Sequence, residues 1–427
     1  MNLTRRQFLT LAPAAAAALA LTRRLPAEAQ EIPPLPARPN IVVILTDDQD
    51  APSLAVMRKL LAAPGGGWTN FTTAVCNDGL CAPSRATLLT GQYSHHHGVE
   101  RNGWIGRLDE SNTLPVWLSA AGYRCAHFGK YSFGKRGRSR PKPPGWDVFD
   151  GKGGLADPTF SKAIDYIEHT GSEPFYLVIA PVDPHIKAKP PLRYRTAAVD
   201  LPPLPPNINE VDVSDKPEYI RQLKPIAQPK LQGQAAERVR AARALLAVDD
   251  GVQAVVEALA STGRLDNTAI FYLSDHGYSW GSHRMLWKHN PYEEVIRIPF
   301  LIRLPGQSEN RVEPRLVSNV DVAPTICELA GIIPGRQVDG RSLLPLIQQT
   351  IGEWDEAALI EKHTDPHYAG EYFGLRTADY TYVEHDSGEK ELYDLATDPY
   401  QLENATGQPD YADTQAQLAA RLAAMKL

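Results

Sequence analysis

Cysteine is scarce in this sequence: four occur in 427 residues, which excludes a small scaffold held together by disulfides. An excess of positive charge is also lacking, because 44 basic residues face 50 acidic ones and the formal net charge is −6. A broad basic surface for nucleic acid is therefore not expected. No apolar run reaches the roughly 20 residues that span a bilayer. What remains is a globular composition, 43% hydrophobic and 22% charged, with enough apolar material for a large core.

The first 29 residues have the features of an export signal. Arg5 and Arg6 precede the apolar run Phe8–Leu21, and Ala27–Ala29 offers a small-x-small cleavage pattern. This arrangement resembles a bacterial twin-arginine signal, which exports proteins that have already folded. A buried alanine-rich helix is the alternative. We predict that residues 1–29 direct the chain through the twin-arginine machinery to the periplasm or the exterior, with no stable membrane anchor.

Four short apolar runs predict buried strands. They are Asn40–Leu45, Phe175–Ala180, Ala269–Leu273 and Ile298–Arg303. Because none alternates polar with apolar residues, both faces should be covered, as in parallel sheets. A helical pattern at Gln234–Ser261, closed by Gly263, lies between the second and third runs. Strands that alternate with helices predict an α/β sandwich with a mostly parallel central sheet.

The pattern changes near residue 350. We expect a main domain at 30–350 and a small α+β subdomain at 351–427. The subdomain should contain three short antiparallel strands and a terminal helix. These elements are predicted at Tyr372–Arg376, Thr381–Glu384, Glu391–Tyr393 and Tyr411–Met425. After the second predicted strand of the main domain, the segment Pro181–Pro229 contains eleven prolines. It predicts an irregular loop that crosses the mouth of a site.

Acidic and imidazole side chains follow three of the predicted strands. Asp47 and Asp48 come after the first, His185 after the second, and Asp275 and His276 after the third. In open α/β sheets, ligands bind at the carboxyl ends of the strands. Several carboxylates at close range are unfavourable unless a cation lies among them, and oxygen-rich sites suit calcium or magnesium. A helix cap or a solvated turn is the alternative for such acidic pairs.

The segment Cys81–Arg85 reads Cys-Ala-Pro-Ser-Arg. Pro83 suits the first turn of a helix and Gly91 suits its end. Cys81 then lies at or just before a helix N-terminus, where backbone N–H groups favour an anion. Arg85 lies one turn on and can offer forked hydrogen bonds to an oxyanion.

This motif, placed after an Asp–Asp strand end, resembles the formylglycine motif of the sulfatase family. The resemblance covers most of residues 38–403. It implies an alkaline-phosphatase-like fold, hydrolysis of sulfate monoesters, and conversion of the cysteine to formylglycine by a cytoplasmic formylglycine-generating enzyme. The implied metal ligands, with calcium favoured and magnesium as the alternative, are Asp47, Asp48, Cys81, Asp275 and His276. The implied catalytic residues are Cys81, Arg85, Lys130, His185 and Lys288.

The resemblance also implies a role for each of the catalytic residues. One hydroxyl of the hydrated aldehyde attacks sulfur, and loss of the proton from the other lets sulfate leave. Arg85, Lys130 and Lys288 neutralise the charge of the ester together with the cation. His185 is the predicted acid for the leaving alcohol. Asp48 is the predicted base.

One position departs from the usual pattern of the family. Many sulfatases have histidine where this chain has Ser132, but the N-acetylglucosamine-6-sulfatase branch also lacks it. Thr262–Thr268 and Ser274–Tyr278 resemble the same branch, so a sulfated carbohydrate is the expected substrate. A phosphonate monoester or phosphodiester hydrolase with the same modified cysteine is the runner-up. A non-enzymatic carbohydrate-binding protein is the third alternative.

Other conspicuous residues receive structural interpretations. We predict that His95–His97 form pocket wall or scaffold. Cys125 and Cys327 lie in apolar surroundings and read as core residues. A disulfide between Cys76 and an unmodified Cys81 is the alternative to formylglycine.

Overall fold

The computed structural model describes residues 35–62, 66–132, 141–365 and 370–427. The predicted export signal at residues 1–29 lies outside these ranges. Within them, no helix combines the length and the apolar character that a bilayer crossing requires.

A mixed eight-stranded sheet forms the centre of the fold, in the order β5-β4-β6-β1-β7-β8-β2-β9. The strands of this sheet are β1 (Asn40–Thr46), β2 (Thr69–Phe71), β4 (Arg124–Gly129), β5 (Val148–Asp150), β6 (Phe175–Ala180), β7 (Thr268–Ser274), β8 (Phe300–Arg303) and β9 (Arg311–Glu313). Strands β5, β4, β6, β1 and β7 run parallel, whereas β8 is antiparallel to both β7 and β2. The carboxyl ends of β4, β6, β1 and β7 therefore meet at one edge. A separate parallel pair joins β3 (Ala74–Val75) to β10 (Val317–Ser318).

Helices cover the sheet and connect its strands. They are α1 (Arg58–Leu61), α2 (Cys81–Thr90), α3 (Ser94–His97), α4 (Leu114–Ala120), α5 (Ala156–His169), α6 (Glu218–Arg221), α7 (Gln228–Ser261), α8 (Glu293–Ile296), α9 (Val322–Leu329) and α10 (Leu344–Ile347). Helices α5 and α7 pack on each other and, with one face of the sheet, enclose a large apolar core that includes Val42 and Leu177. Their close approach requires Gly251, because a Cβ there would lie 2.3 Å from the ring of Phe160.

The four apolar runs are strands β1, β6, β7 and β8, as predicted. The antiparallel direction of β8 makes the sheet mixed instead of wholly parallel in this region. The long helix begins at Gln228, six residues before the predicted start, because Pro229 is accommodated in its first turn. It ends just before Gly263, which adopts a positive φ of 68°. The segment between β6 and α7 is irregular apart from short turns and α6, as its prolines predict.

A four-stranded antiparallel sheet forms the C-terminal part. It consists of β11 (Ala357–Lys362), β12 (Tyr372–Thr377), β13 (Tyr380–His385) and β14 (Lys390–Asp394), and α11 (Ala412–Met425) packs against it. Leu375 and Leu392 of the sheet bury against Leu418 and Leu422 of the helix. Three of the four strands and the helix match the prediction, and β11 was missed. All three sheets belong to the compact unit Pro34–Leu427, and a domain boundary near residue 350 stays a prediction.

Candidate active site

Two strand ends bring acidic side chains together. Thr46 pairs with Ser274 in the parallel ladder of β1 and β7, so Asp47 and Asp48 emerge beside Asp275 and His276. The backbone N–H of Asp48, whose φ is +64°, donates to Asp275 Oδ1 at 3.2 Å. All four of these side chains are buried.

Cys81 is the first residue of α2 and points its sulfur into the same place. Its Sγ lies 3.0 Å from Lys288 Nζ, 3.3 Å from His276 Nε2 and 3.6 Å from Asp47 Oδ1. Ser84 fixes the first turn of the helix to β7 by donating to the carbonyl of Asp275 at 2.6 Å. The start of α2 is therefore fastened to the strand end that carries two of the predicted ligands.

Three cationic side chains pair with the three carboxylates. Lys130, which follows β4, contacts Asp47. Lys288 Nζ lies 2.5 Å from Asp48 Oδ1, and Arg85 Nε lies 2.8 Å from Asp275 Oδ2. The Arg85 guanidinium also donates to the carbonyl of Lys130. The structure thus brings together the predicted cationic residues and the predicted metal ligands.

These ion pairs shift the pKa values of the buried groups in the cluster. Burial opposes ionisation of Asp48, but the ammonium of Lys288 and the neighbouring imidazoles lower its pKa. Burial likewise opposes ionisation of the Cys81 thiol, yet Lys130 and Lys288 lower its pKa. Burial also disfavours charge on His276, but the Asp275 carboxylate raises its pKa to about 9. The cluster thus gathers buried groups with shifted pKa values around the Cys81 sulfur, which is typical of a functional site.

His185 marks the open side of this cluster. It lies in the loop after β6, and its Nε2 is 3.5 Å from Asp48 Oδ2. Its side chain is 32% exposed, whereas that of Asp48 is 1% exposed. His185 is therefore a partly solvent-exposed residue in contact with a buried carboxylate of the cluster.

The donor set fits a divalent cation. Two groups have ligand atoms within 4.8 Å of one another: Asp47, Cys81, Asp275 and His276 in one, and Asp47, Asp48 and His185 in the other. Two buried polar atoms, Asp48 Oδ2 and Arg85 Nη2, have no hydrogen-bond partner among the residues that the structure describes. Carboxylate oxygens in this number suit calcium or magnesium.

Sequence reasoning missed a clamp around the loop that precedes Cys81. The carbonyl of Gly79 accepts from the backbone N–H of His289 at 3.0 Å, and His289 Nε2 lies 3.2 Å from Asp78 Oδ1. Asn319 accepts from the backbone N–H of Asn77 at 3.0 Å. The clamp ties the loop 76–80 to the segment that carries Lys288, and no local sequence motif predicts it.

Glu361 at the end of β11 is a second residue that the sequence did not reveal. Its buried carboxylate lies 2.7 Å from His95 Nδ1 and 2.9 Å from His363 Nε2, and it accepts from Asn77 Nδ2 at 3.1 Å. His97 meets α2 through the hydroxyl of Thr87, at 3.1 Å. The histidine run therefore acts as scaffold that connects the C-terminal sheet, through Glu361, with the loop 76–80 and α2.

The four cysteines are buried and carry free thiols. Cys76 turns its sulfur to the carbonyl of Val295, at 3.7 Å, so the structure lacks the alternative Cys76–Cys81 disulfide. Ser132, at the position where many sulfatases have histidine, has a buried hydroxyl without a hydrogen-bond partner within the described ranges.

Comparisons with known proteins identify relatives of the chain. The pattern of the family described as Sulfatase matches residues 39–332, and that of "N-sulphoglucosamine sulphohydrolase, C-terminal" matches 281–427. The chain is 31% identical to human N-acetylglucosamine-6-sulfatase over 446 aligned residues, which cover 86% of this chain and 81% of the relative.

Solved structures share the fold. A protein solved in complex with its substrate D-glucosamine-2-N,6-O-disulfate has a TM-score of 0.76 at 24% identity, covering 91% of this chain and 97% of its own. The phosphonate monoester hydrolase of Agrobacterium radiobacter also has a TM-score of 0.76, at 21% identity, covering 91% of this chain and 95% of its own. The fold is therefore the alkaline-phosphatase-like α/β sandwich that the sequence predicted.

Proposed function

The chain belongs to the sulfatase family and is a sulfuric ester hydrolase, and from this premise we propose that it acts on a sulfated carbohydrate with a nucleophile made from Cys81. The observation that carries the proposal is the surroundings of the Cys81 sulfur. That atom lies at a helix start, beside Lys288 Nζ at 3.0 Å and His276 Nε2 at 3.3 Å.

Conversion of Cys81 to formylglycine provides what an unmodified thiol lacks. The hydrated aldehyde supplies one hydroxyl to attack sulfur and a second through which sulfate can leave. Position 81 begins α2, so backbone N–H groups and the helix dipole favour negative charge there. Lys130 and Lys288 flank the position and are both buried. Their ammonium groups would hold the oxygens of the ester, in a region where such contacts are strong.

The divalent cation would be held by Asp47, Asp48, Asp275, His276 and residue 81. When bound, it supplies charge neutralisation for the sulfate oxygens. Calcium is our proposal, because the set is rich in carboxylates, and magnesium is the alternative. Arg85 keeps the set in place by pairing with Asp275.

His185 is the proposed acid for the leaving alcohol. It is the partly exposed member of the cluster, so the carbohydrate part of the ester faces it. An imidazole can hold and release a proton near neutral pH. Asp48 lies 3.5 Å from its Nε2 and would orient the ring.

The proposed substrate class rests on relatives. Human N-acetylglucosamine-6-sulfatase covers most of this chain at 31% identity. Of the two segments that resemble its branch, Ser274–Tyr278 lies at the carboxyl end of β7 and carries two of the proposed ligands, whereas Thr262–Thr268 precedes the same strand at its other end. We propose a sulfated sugar, with a sulfated hexosamine as the first substrate to test. Export through the twin-arginine route, directed by residues 1–29, completes the proposal and would deliver the folded, modified enzyme to the periplasm or beyond.

Mass spectrometry of the peptide 76–101 tests the nucleophile. Protein purified from its export compartment should show a loss of about 18 Da at Cys81, the difference between a thiol and an aldehyde. Cys81→Ser should keep the thermal unfolding curve and lose both the mass change and turnover. A fully intact thiol in a preparation that hydrolyses sulfate esters would overturn the proposal.

The runner-up shares the modified cysteine and is separated by kinetics. A phosphonate monoester or phosphodiester hydrolase would have higher kcat/KM on aryl phosphonates or phosphate diesters than on aryl sulfates. The likeness to a phosphonate monoester hydrolase is at 21% identity and concerns the fold alone. We expect aryl sulfates and sulfated sugars to be the better substrates.

A further inference from the structure

Two arginines contact one tryptophan ring in the loop between α3 and α4. The guanidinium carbon of Arg101 lies 3.8 Å from the centre of the Trp104 ring, and that of Arg107 lies 3.2 Å from it. At these distances each guanidinium must meet the ring with its flat face, because an edge-on approach would bring its nitrogens into the ring. The N–H groups of a guanidinium lie in its plane, so a stacked guanidinium can still bind a partner through them.

The backbone of the loop produces this arrangement from residues that are three positions apart. The N–H of Trp104 donates to the carbonyl of Arg101 at 3.2 Å, and the N–H of Arg107 donates to the carbonyl of Trp104 at 2.8 Å. Gly103 permits the first of these turns with a positive φ of 88°. The buried side chain of Ile105 anchors the second turn. The loop therefore holds both guanidinium groups on the ring without a ligand.

The two positive charges are not neutralised by the protein. Neither guanidinium forms an ion pair or a side-chain hydrogen bond with another residue in the described ranges. Asp109, two positions after Arg107, instead accepts from the hydroxyl of Ser111 at 2.6 Å and lies 3.7 Å from Arg336. Arg107 is exposed and Arg101 is half-buried. Two adjacent cations with available N–H groups suit an oxyanion, such as a carboxylate or a sulfate.

Asn102, next to Arg101, fastens the loop to the start of α2. Its Oδ1 accepts from the backbone N–H of Ala82 at 3.0 Å. The N–H groups in the first turn of a helix point beyond its N-terminal end, and this is the end that carries Cys81. This bond and the dimensions of the chain place Arg101 Cα within about 13 Å of Cys81 Cα. Since Asn102 is half-buried, the loop reaches the surface beside the proposed active site.

We propose that Arg101 and Arg107, held in place by Trp104, form an anion subsite that binds a second oxyanion group of the carbohydrate whose sulfate ester is hydrolysed. The proposal rests on the proposed function, since both groups belong to the same substrate. The second group is a carboxylate or another sulfate, because forked N–H donors bind either oxyanion. The enzyme would then prefer sulfated carbohydrates that carry more than one negative charge, and Trp104 is a positioning residue.

Substitution of the two arginines tests the subsite. Arg101→Gln and Arg107→Gln each remove one charge, and Arg101→Lys keeps the charge but loses the forked donors. Arg341→Gln is the matched control. Arg341 lies between α9 and α10, and its guanidinium carbon is 3.5 Å from the ring centre of Trp354. Thermal unfolding curves that match wild type must first show that each variant is folded.

The substrates differ in the second anion. N-acetylglucosamine 6-sulfate carries one anionic group. Glucosamine 2-N,6-O-disulfate adds a sulfate on the same ring, and a disaccharide of N-acetylglucosamine 6-sulfate with a hexuronate adds a carboxylate on the next ring. KM is measured for each of them and for 4-nitrophenyl sulfate.

Wild type should have a lower KM for a substrate with a second anion than for N-acetylglucosamine 6-sulfate. Each glutamine variant should raise that lower KM about three- to fivefold more than it raises the KM for 4-nitrophenyl sulfate, as expected for a partly exposed charge pair. Arg101→Lys should lie between wild type and Arg101→Gln, and the control should match wild type. An effect confined to the disulfate identifies the bound group as sulfate, and one confined to the disaccharide identifies it as carboxylate.

The subsite is overturned if wild type has equal KM values for the substrates with and without a second anion. It is also overturned if the glutamine variants change the KM for all substrates by the same factor. Failure of the proposed function looks different: wild type hydrolyses neither the sugar sulfates nor 4-nitrophenyl sulfate, and the subsite falls with it.

Discussion

Replacing Lys288 by methionine removes a buried ammonium from the centre of the site. The Lys288 side chain is 8% exposed and lies 2.5 Å from Asp48 Oδ1 and 3.0 Å from Cys81 Sγ. Loss of one preorganised donor to a developing oxyanion lowers kcat by about 10²–10³, or about 2.7–4 kcal/mol. We expect a decrease of this size in kcat/KM for 4-nitrophenyl sulfate.

The same substitution should lower stability in the metal-free protein. Breaking a buried ion pair costs about 3–5 kcal/mol. In the variant, Asp48 still has two imidazole nitrogens at 3.5 Å, His276 Nδ1 and His185 Nε2. We therefore expect the free energy of unfolding, measured in urea, to fall by the low end of this range, about 3 kcal/mol. Added calcium should restore part of this loss, because it supplies positive charge to the same carboxylate.

Lys230→Met is the matched control, since Lys230 is exposed on α7 and should change neither quantity. Peptide mass spectrometry must first establish that the aldehyde content at residue 81 equals that of wild type. A kcat/KM within threefold of wild type at equal aldehyde content would refute the role that we assign to Lys288.

Two further predictions concern the metal and pH. Asp275→Asn should lower bound calcium, measured by elemental analysis after dialysis, and lower kcat in proportion; unchanged metal content would contradict the assignment of Asp275 as a ligand. Burial opposes the charge of Glu361, but hydrogen bonds from His363 and His95 lower its pKa to about 2 from the ordinary 4.5. A carboxylate with a lowered pKa stabilises the fold fully above pH 4.5, and this contribution is lost as pH falls towards 2. In urea titrations Glu361→Gln should therefore lack about 3 kcal/mol of the wild-type stability near neutral pH, with the difference shrinking below pH 4.5; a difference that does not depend on pH would count against the ion pairing.

The sequence predicted the centre of the sheet well because its strands are uninterrupted apolar runs. Strand β4 was not predicted, because Arg124 and His127 interrupt its apolar pattern. The imidazole of His127 is buried among aromatic rings, including those of Trp146 and Tyr131. The direction of β8 could not be predicted either, because a fully apolar run looks the same in both directions.

Some residues of the candidate site could likewise be predicted from the sequence, and others could not. Asp47, Asp275 and Cys81 could be predicted as neighbours, because strand ends and helix starts gather at one edge of an α/β sheet. Asn319 and Glu361 could not, since their contacts with the loop 76–80 join residues that are 242 and 284 positions apart. Such contacts leave no spacing or periodicity that a sequence displays.

The bonds from Glu361 to Asn77 set an order of events during synthesis. The side chain of Asn77 donates to a carboxylate that is 284 residues further along the chain, and its carbonyl accepts from the backbone N–H of Glu361. A ribosome that adds about 5–20 residues per second needs on the order of 15–60 s to cover that distance. For most of this interval Cys81 has been synthesised while the loop before it lacks its bonds to Glu361. For the conversion of Cys81 that we propose, this interval would give a modifying enzyme access to the cysteine before Glu361 joins the loop that precedes it.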